Sequence, residues 1–185
     1  MIPRRIATSI KRDGEIELRL FYPRDTISLA AFVEHMKNNI DSETVILDDD
    51  TRYILVDRRA DEDDEDDDNY LINYIIGQFP TLEQGIEEGI IQNAEYMIYN
   101  TQGELITTFR DRPDAYEQPI DLEFHQIDGN SRYLLILYDN EEDVLEQKQY
   151  DLLEIAIKEG RRSGIRFIIY DTYNEGLPVI SGNKD

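Results

Sequence analysis

The sequence predicts a mixed α/β fold, a sheet of parallel and antiparallel strands with about three helices and a C-terminal βαβ unit. Three observations lead there. Short β-branched or alternating segments recur between clusters of Asp, Asn and Gly; longer stretches repeat their apolar residues at helical spacing; and the last third reads strand, helix, strand.

In order along the chain, Ile16-Glu17-Leu18-Arg19-Leu20 alternates apolar with charged side chains, the pattern of a strand with one wet face. From Ile27 to Ile40 the residues Ile27, Ala30, Ala31, Val33, Met36 and Ile40 fall near helical spacing, with Asp25 or Thr26 as N-cap. Thr44 to Leu47 and Tyr53 to Val56, joined by Asp48-Asp49-Asp50-Thr51-Arg52, predict a hairpin. Tyr70 to Phe79 is apolar without a deciding period. Thr81-Leu82-Glu83-Gln84 has the form of a capping box and opens a helix to about Gln92, where Gly85 and Gly89 allow close backbone approach. Tyr96 to Tyr99 and Leu105 to Phe109 predict a second hairpin around Asn100-Thr101-Gln102-Gly103-Glu104. Leu122 to Ile127 and Tyr133 to Tyr138 predict a third around Asp128-Gly129-Asn130-Ser131.

The final third carries the clearest signal. Tyr133-Leu134-Leu135-Ile136-Leu137-Tyr138 is the near-continuous apolar run expected of a strand buried on both faces. A helix from about Glu146 to Gly160 would bury Tyr150, Leu153, Ala156 and Ile157, with acids before its start and Arg161 and Arg162 at its end, in agreement with its dipole. Ile165 to Tyr170 reads as a second buried strand, so the unit is βαβ with parallel strands and a right-handed crossover.

The chain of 185 residues carries 19 basic and 41 acidic side chains, a formal charge of −22. That charge is central: residues 1–60 hold ten basic and eleven acidic side chains, residues 61–160 five and twenty-seven, residues 161–185 four and three. Its densest part is Asp61-Glu62-Asp63-Asp64-Glu65-Asp66-Asp67-Asp68, eight acids that repel one another and predict a solvated loop or linker. Arg4, Arg5, Lys11 and Arg12 precede any acid and read as a short basic arm. The expected organisation is an N-terminal α/β part over 1–60, an acidic linker over 61–69 and a C-terminal α/β part over 70–185, together forming one compact domain. No repeat stands out at solenoid periods, and no apolar run approaches the ~18 residues of a membrane span. The start, Met1-Ile2-Pro3-Arg4-Arg5, lacks the apolar stretch of a secretory signal, so the expected compartment is cytoplasmic.

Composition excludes several chemistries. Nucleic acid phosphates and anionic lipid repel so acidic a chain, which argues against sequence-specific nucleic acid binding and against a membrane role. Without cysteine there are no disulfides, thiolate zinc sites or cysteine nucleophiles. The two histidines, His35 and His125, read as structural, and no serine sits in a G-x-S-x-G elbow. What remains is a habit of ending strands in acid or amide, and in the expected parallel unit Asp139 and Asp171 stand at neighbouring carboxyl ends. There they would share one Mg²⁺ and position phosphoryl chemistry or a nucleotide. If instead they merely close strands, Asp139→Asn and Asp171→Asn each cost under about 1 kcal/mol.

From Tyr133 to Gly182 the order is apolar strand, Asp139, acidic helix start, Leu153-Glu154-Ile155-Ala156, Arg161-Arg162-Ser163-Gly164-Ile165, Phe167-Ile168-Ile169, Thr172, then Val179-Ile180-Ser181-Gly182. This stretch resembles the segment from the Walker B strand onward in FtsK/SpoIIIE-type translocase ATPases, including the degenerate copies in secretion-system ATPases. The resemblance implies an ATPase-like fold without the ATPase. No G-x-x-x-x-G-K-[ST] is present to cradle triphosphate oxygens, and Asn140 follows Asp139 where the family places its catalytic Glu.

The function expected from these residues is non-catalytic and needs no cofactor. An acidic protein-interaction component, of the accessory, immunity-type or viral assembly kind, would present Asp61, Glu62, Asp63, Asp64, Glu65, Asp66, Asp67 and Asp68 to a partner protein with a basic surface. The arm of Arg4, Arg5, Lys11 and Arg12 would meet a second surface or the acidic patch of a sister subunit, which leaves homo-oligomers open. The alternatives are the Mg²⁺ site at Asp139 and Asp171, the degenerate ATPase-like domain, and a nucleic-acid mimic whose carboxylates would track phosphate spacing.

Overall fold

The computed structural model describes residues 5–12, 15–21, 42–57 and 75–182, and the chain divides into two compact units, Met1–Phe109 and Arg110–Asp185. The first unit contains β1 (Arg5–Arg12), β2 (Glu15–Phe21) and β3 (Ser42–Leu47) in the sheet order β2-β1-β3. It also contains β4 (Tyr53–Asp57), β5 (Ile75–Phe79), α1 (Leu82–Ile91), β6 (Tyr96–Asn100) and β7 (Leu105–Thr108), whose strands run β5-β4-β6-β7. The second unit contains β8 (Tyr133–Tyr138), β9 (Val144–Tyr150), α2 (Leu153–Ser163), β10 (Phe167–Asp171) and β11 (Leu177–Gly182), in the order β11-β10-β8-β9. No helix among the described residues is long and apolar enough to cross a membrane.

Strand alternation divides each four-stranded sheet between two cores. In the second unit Leu134 and Ile136 pack with Ile168 and Tyr170 against Ile120 and Ile127. The intervening residues, among them Leu135, Leu137, Phe167 and Ile169, line the opposite face, where α2 lies. In the first unit Ile54, Val56, Ile75 and Tyr99 cluster with Leu47 and Val45 of β3, while Ile98 and Tyr96 meet α1. Thr81 caps α1, accepting a hydrogen bond from the Gln84 N–H, as the capping box predicts.

Each unit contains the same ββαββ element. β4, β5, α1, β6 and β7 correspond in order to β8, β9, α2, β10 and β11, with the same strand order and all pairs antiparallel. The register agrees as well: Leu55 faces Ile98 as Leu135 faces Ile169, and Tyr53 faces Asn100 as Tyr133 faces Asp171. Before the first hairpin turn the matches lie eighty positions apart, Asp48, Arg52, Tyr53 and Leu55 against Asp128, Arg132, Tyr133 and Leu135. After it they lie seventy-one apart, with Gln78, Leu82, Glu83, Ile86, Glu88, Gly89, Ile98, Tyr99 and Thr101 recurring as Gln149, Leu153, Glu154, Ile157, Glu159, Gly160, Ile169, Tyr170 and Thr172.

Matched residues make matched contacts. Gln78 Oε1 accepts the Asp48 N–H at 3.0 Å, and Gln149 Oε1 accepts the Asp128 N–H at 3.0 Å. The Thr101 N–H donates to the Arg52 carbonyl at 3.1 Å and the Thr172 N–H to the Arg132 carbonyl at 2.8 Å. A Cβ on Gly89 would stand 2.5 Å from the Tyr96 ring, and one on Gly160 2.5 Å from the Phe167 ring, so each helix needs glycine where it crosses the first aromatic of the next strand. Just past each helix the chain turns through a left-handed residue, Asn93 or Gly164.

This architecture corrects the expected fold. The described strands pair only antiparallel, there are two α-helices among the described residues, and the C-terminal unit is ββαββ, not βαβ. Residues 144–150 favour helix by propensity, yet as β9 they pair along β8 from Tyr133 to Tyr138, and that pairing overrides local preference. With this extra strand the chain reverses once more before the helix, so β10 returns antiparallel to β8. β8 is buried on both faces, as expected, but the cover opposite α2 comes from Ile120 and Ile127. Two hairpins also change. β3 pairs with β1, not β4, and Leu122–Phe124 is a turn of 3-10 helix, leaving β8 to pair with β9 and β10. The hairpin of β6 and β7 forms as expected. The helix expected over Ile27 to Ile40 lies outside the described residues.

Candidate functional site

Antiparallel pairing separates the two aspartates proposed from sequence. Asp171 lies opposite Tyr133, where β8 begins, whereas Asp139 follows the end of β8. They stand a strand length apart and cannot share an ion. Asp139 closes the β8–β9 turn: its Oδ1 accepts the N–H groups of Glu141 at 2.8 Å and Asp143 at 2.9 Å. Asp171, only 3% exposed, has its carboxylate filled by Arg132. Arg132 Nε donates to both oxygens at 3.1 Å and a terminal nitrogen to Oδ2 at 2.7 Å, while Oδ1 also accepts the Tyr173 N–H at 3.0 Å. Among the described residues no three His, Asp or Glu side chains gather as a metal site.

Cations of the second unit are largely consumed within it. Arg132 pairs with Asp171, Lys148 with Glu146, Lys158 with Glu154, Arg161 with Asp111 and Arg162 with Glu159. Arg166 lies over the Tyr138 ring and spans Glu117 and Glu142. Glu117, mostly buried, also accepts the Ser181 hydroxyl at 2.9 Å, which ties the segment before β8 to β11. Near it the Tyr138 and Tyr170 hydroxyls bond at 3.0 Å; burial first, then that bond, pushes the Tyr170 phenol well above its ordinary range. The Glu146 partner raises the ammonium of Lys148. Backbone N–H groups of Ser131 and Asn130 hold the Asp128 carboxyl below its ordinary 3.8. Exposed carboxylates at Glu123, Glu141, Asp143, Asp151 and Glu175 have no cationic partner among the described residues. The surface they occupy therefore keeps a negative surplus.

Other sequence candidates fall into place individually. His125 Nδ1 lies 2.8 Å from Gln147 Oε1, joining a loop to β9. Ser131 donates to Asp128 and Ser163 to the Gly160 carbonyl, so both serve turns and helix ends. Arg5 to Arg12 is not an arm but the central strand β1, paired on both sides; Arg4, His35 and the acids Asp61 to Asp68 lie outside the described residues.

Sequence reading missed the repeated signature itself: Asp-x-x-(Thr/Ser)-Arg-Tyr before the first strand, Gln before the helix, and Tyr-(Asn/Asp)-Thr closing the third strand. A search at solenoid periods cannot find it, because the offsets of eighty and seventy-one residues exceed those periods, and their difference of nine breaks any single long period. Aligning the chain on itself with one gap would have. That gap lies between β4 and β5, where residues 58–74 make the connection that residues 139–143 make between β8 and β9. The acidic run Asp61 to Asp68 is inside it. Compared with known proteins, the chain matches no family model, no curated protein and no solved structure.

Proposed function

We propose that the chain is a non-catalytic interaction protein whose acidic insertion docks on the basic surface of a partner protein. One observation carries this reading: the two copies of the ββαββ element differ most in length at the first connection, and the longer version contains eight consecutive acids. The second copy shows that the fold needs only residues 139–143 there. A spacer role accounts for added length, which costs little in loop entropy, but not for a composition that concentrates like charge. A basic partner is the counterpart that relieves this repulsion, and attraction between the two would act chiefly on the association rate. The pairing of cations within the second unit supports the reading, because it leaves its exposed carboxylates unneutralised.

The test is parallel affinity capture from the native host with three baits: the full chain, a chain lacking Asp61 to Asp68, and a chain with those acids replaced by Asn and Gln. The reading expects a basic protein retained by the first bait alone and released by modest salt. Equal retention by all three baits would defeat it.

A further inference from the structure

We infer that β9 is a self-association edge, on which two copies of the chain pair antiparallel about Gln147 and join their sheets into one of eight strands. The inference is independent of the docking role of the acidic run. β9 has β8 as its one sheet neighbour, and the backbone groups on its outer side find no partner among the described residues. It is seven residues long, contains neither Pro nor Gly, and exposes Val144 and Leu145 at 53% and 58%.

The two edges most comparable with it are guarded. β11 carries Pro178, a register break opposite Ile169 and Tyr170, and the tie from Ser181 to Glu117. The equivalent of β9 in the first unit, β5, is shorter, contains Gly77 and buries Ile75 against Leu47 of β3. On β9 the guards are weaker: Lys148 has its charge balanced by Glu146 at 3.0 Å, the register break falls at Leu145 near one end, and the loop residues His125, Gln126 and Asp128 bond to the Gln147 and Gln149 side chains, not to the outer backbone.

Charge then selects the occupant and the register. A two-fold axis normal to the sheet pairs residues symmetrically about one central position. Centred on Gln147, it sets Glu146 against Lys148 of the second copy and Lys148 against Glu146, on the side of the sheet where these residues face Leu137 and Leu135. Tyr150 then approaches the end of the second copy's strand at Val144 and Leu145, where the register of β9 shifts. Centring on Glu146 or Lys148 would set like charges against themselves. Among these registers, the sequence Val144-Leu145-Glu146-Gln147-Lys148-Gln149-Tyr150 is thus complementary to itself in one. Just beyond the strand, Asp143 would approach Asp151 of the second copy, and with a formal charge of −22 on each chain the dimer should strengthen as salt rises. Docking on a basic partner has the opposite dependence, so the two proposals fail separately.

The experiment is analytical ultracentrifugation of the full chain over a range of concentration and salt, with Lys148→Glu, Glu146→Lys and the double variant. The native chain should dimerise, more tightly in high salt. Each single replacement turns two attractive pairs into two repulsive ones and should weaken dimerisation by roughly ten- to a hundredfold. The double variant restores opposite charges and should restore the dimer. An equimolar mixture of the two single variants should form a heterodimer. Both side chains are about half exposed, 49% and 46%, so the replacements leave the core intact, and circular dichroism checks this. The double variant keeps the test readable if a single one misfolds. A native chain that stays monomeric throughout, a dimer indifferent to the replacements, or the absence of a heterodimer in the mixture would each overturn the inference, the last two pointing to another surface.

Discussion

The two ββαββ copies share the contacts that tie strands and helix together and differ at the end of the third strand, in the first connection and in the exposure of the second strand. Common to both are the glutamine that ties the turn before the first strand, the helix glycine under an aromatic ring, and the threonine that closes the third strand onto the residue preceding the first. Three features differ. At the end of the third strand, Asn100 binds Glu104 in the first copy where Asp171 binds Arg132 in the second. The connection between the first two strands is long and acidic in one and a tight turn in the other. The second strand is partly buried as β5 and largely exposed as β9. Repetition separates requirement from elaboration: what recurs is common to both folds, and what does not recur is particular to one copy, whether a buried ion pair or an exposed strand.

The largest effect is expected where the copies agree. Leu55 and Leu135 occupy equivalent, fully buried positions, so Leu55→Ala and Leu135→Ala should each destabilise by about 2–5 kcal/mol, read by denaturant unfolding. Unequal losses, with one near zero, would break the equivalence. Next comes a site where the copies differ. Asp171→Asn keeps the turn geometry that Asn100 supports but removes the ion pair with Arg132, at a cost of about 1–3 kcal/mol, discounted because Arg132 is 42% exposed. This exceeds the value expected if the residue merely closes a strand. The reciprocal Asn100→Asp would set a carboxylate beside Glu104 and should also destabilise. If both exchanges are silent, the third-strand termini do not distinguish the copies.

Legibility follows from which interactions are local. The runs that became β8, β10 and β6, and the capping box of α1, can be read because alternation, apolar runs and caps involve neighbours in sequence. β9 was not readable. Glu146, Gln147, Lys148 and Gln149 suit a helix by propensity, and what makes them a strand is their pairing with Leu134 to Leu137 across the short turn 139–143, a pairing that single-residue preference does not register. The same error placed Asp139 and Asp171 together, since a helix running directly from β8 to β10 would have made those strands parallel. Asp171 itself was recognisable as a strand end, but its partner Arg132 lies 39 residues away in sequence.

Smaller effects sharpen the comparison. Backbone N–H groups hold the Asp128 carboxyl below its ordinary 3.8, so its contribution to stability is full above the unfolded value and is lost as pH falls through the depressed one. Asp128→Asn should therefore lower stability at neutral pH and converge with the native chain in strong acid, measured as melting temperature against pH. A gap that persists in acid would assign the residue an effect other than its charge. Smallest of all, removing Asp61 to Asp68 should leave the melting temperature within a few degrees or raise it, because the second copy makes the same connection without such a run. Loss of cooperative unfolding would make the insertion part of the fold.

The most direct test of the account pairs that deletion with binding. Once capture has identified the partner, its dissociation constant is measured for the native chain and for the chain lacking Asp61 to Asp68, at low and at physiological salt. Native affinity should fall steeply with salt, mostly through the association rate, and the deleted chain, still folded, should bind at least tenfold more weakly at low salt, with little salt dependence left. A deleted chain that binds as tightly as the native one, with the same salt dependence, would contradict it.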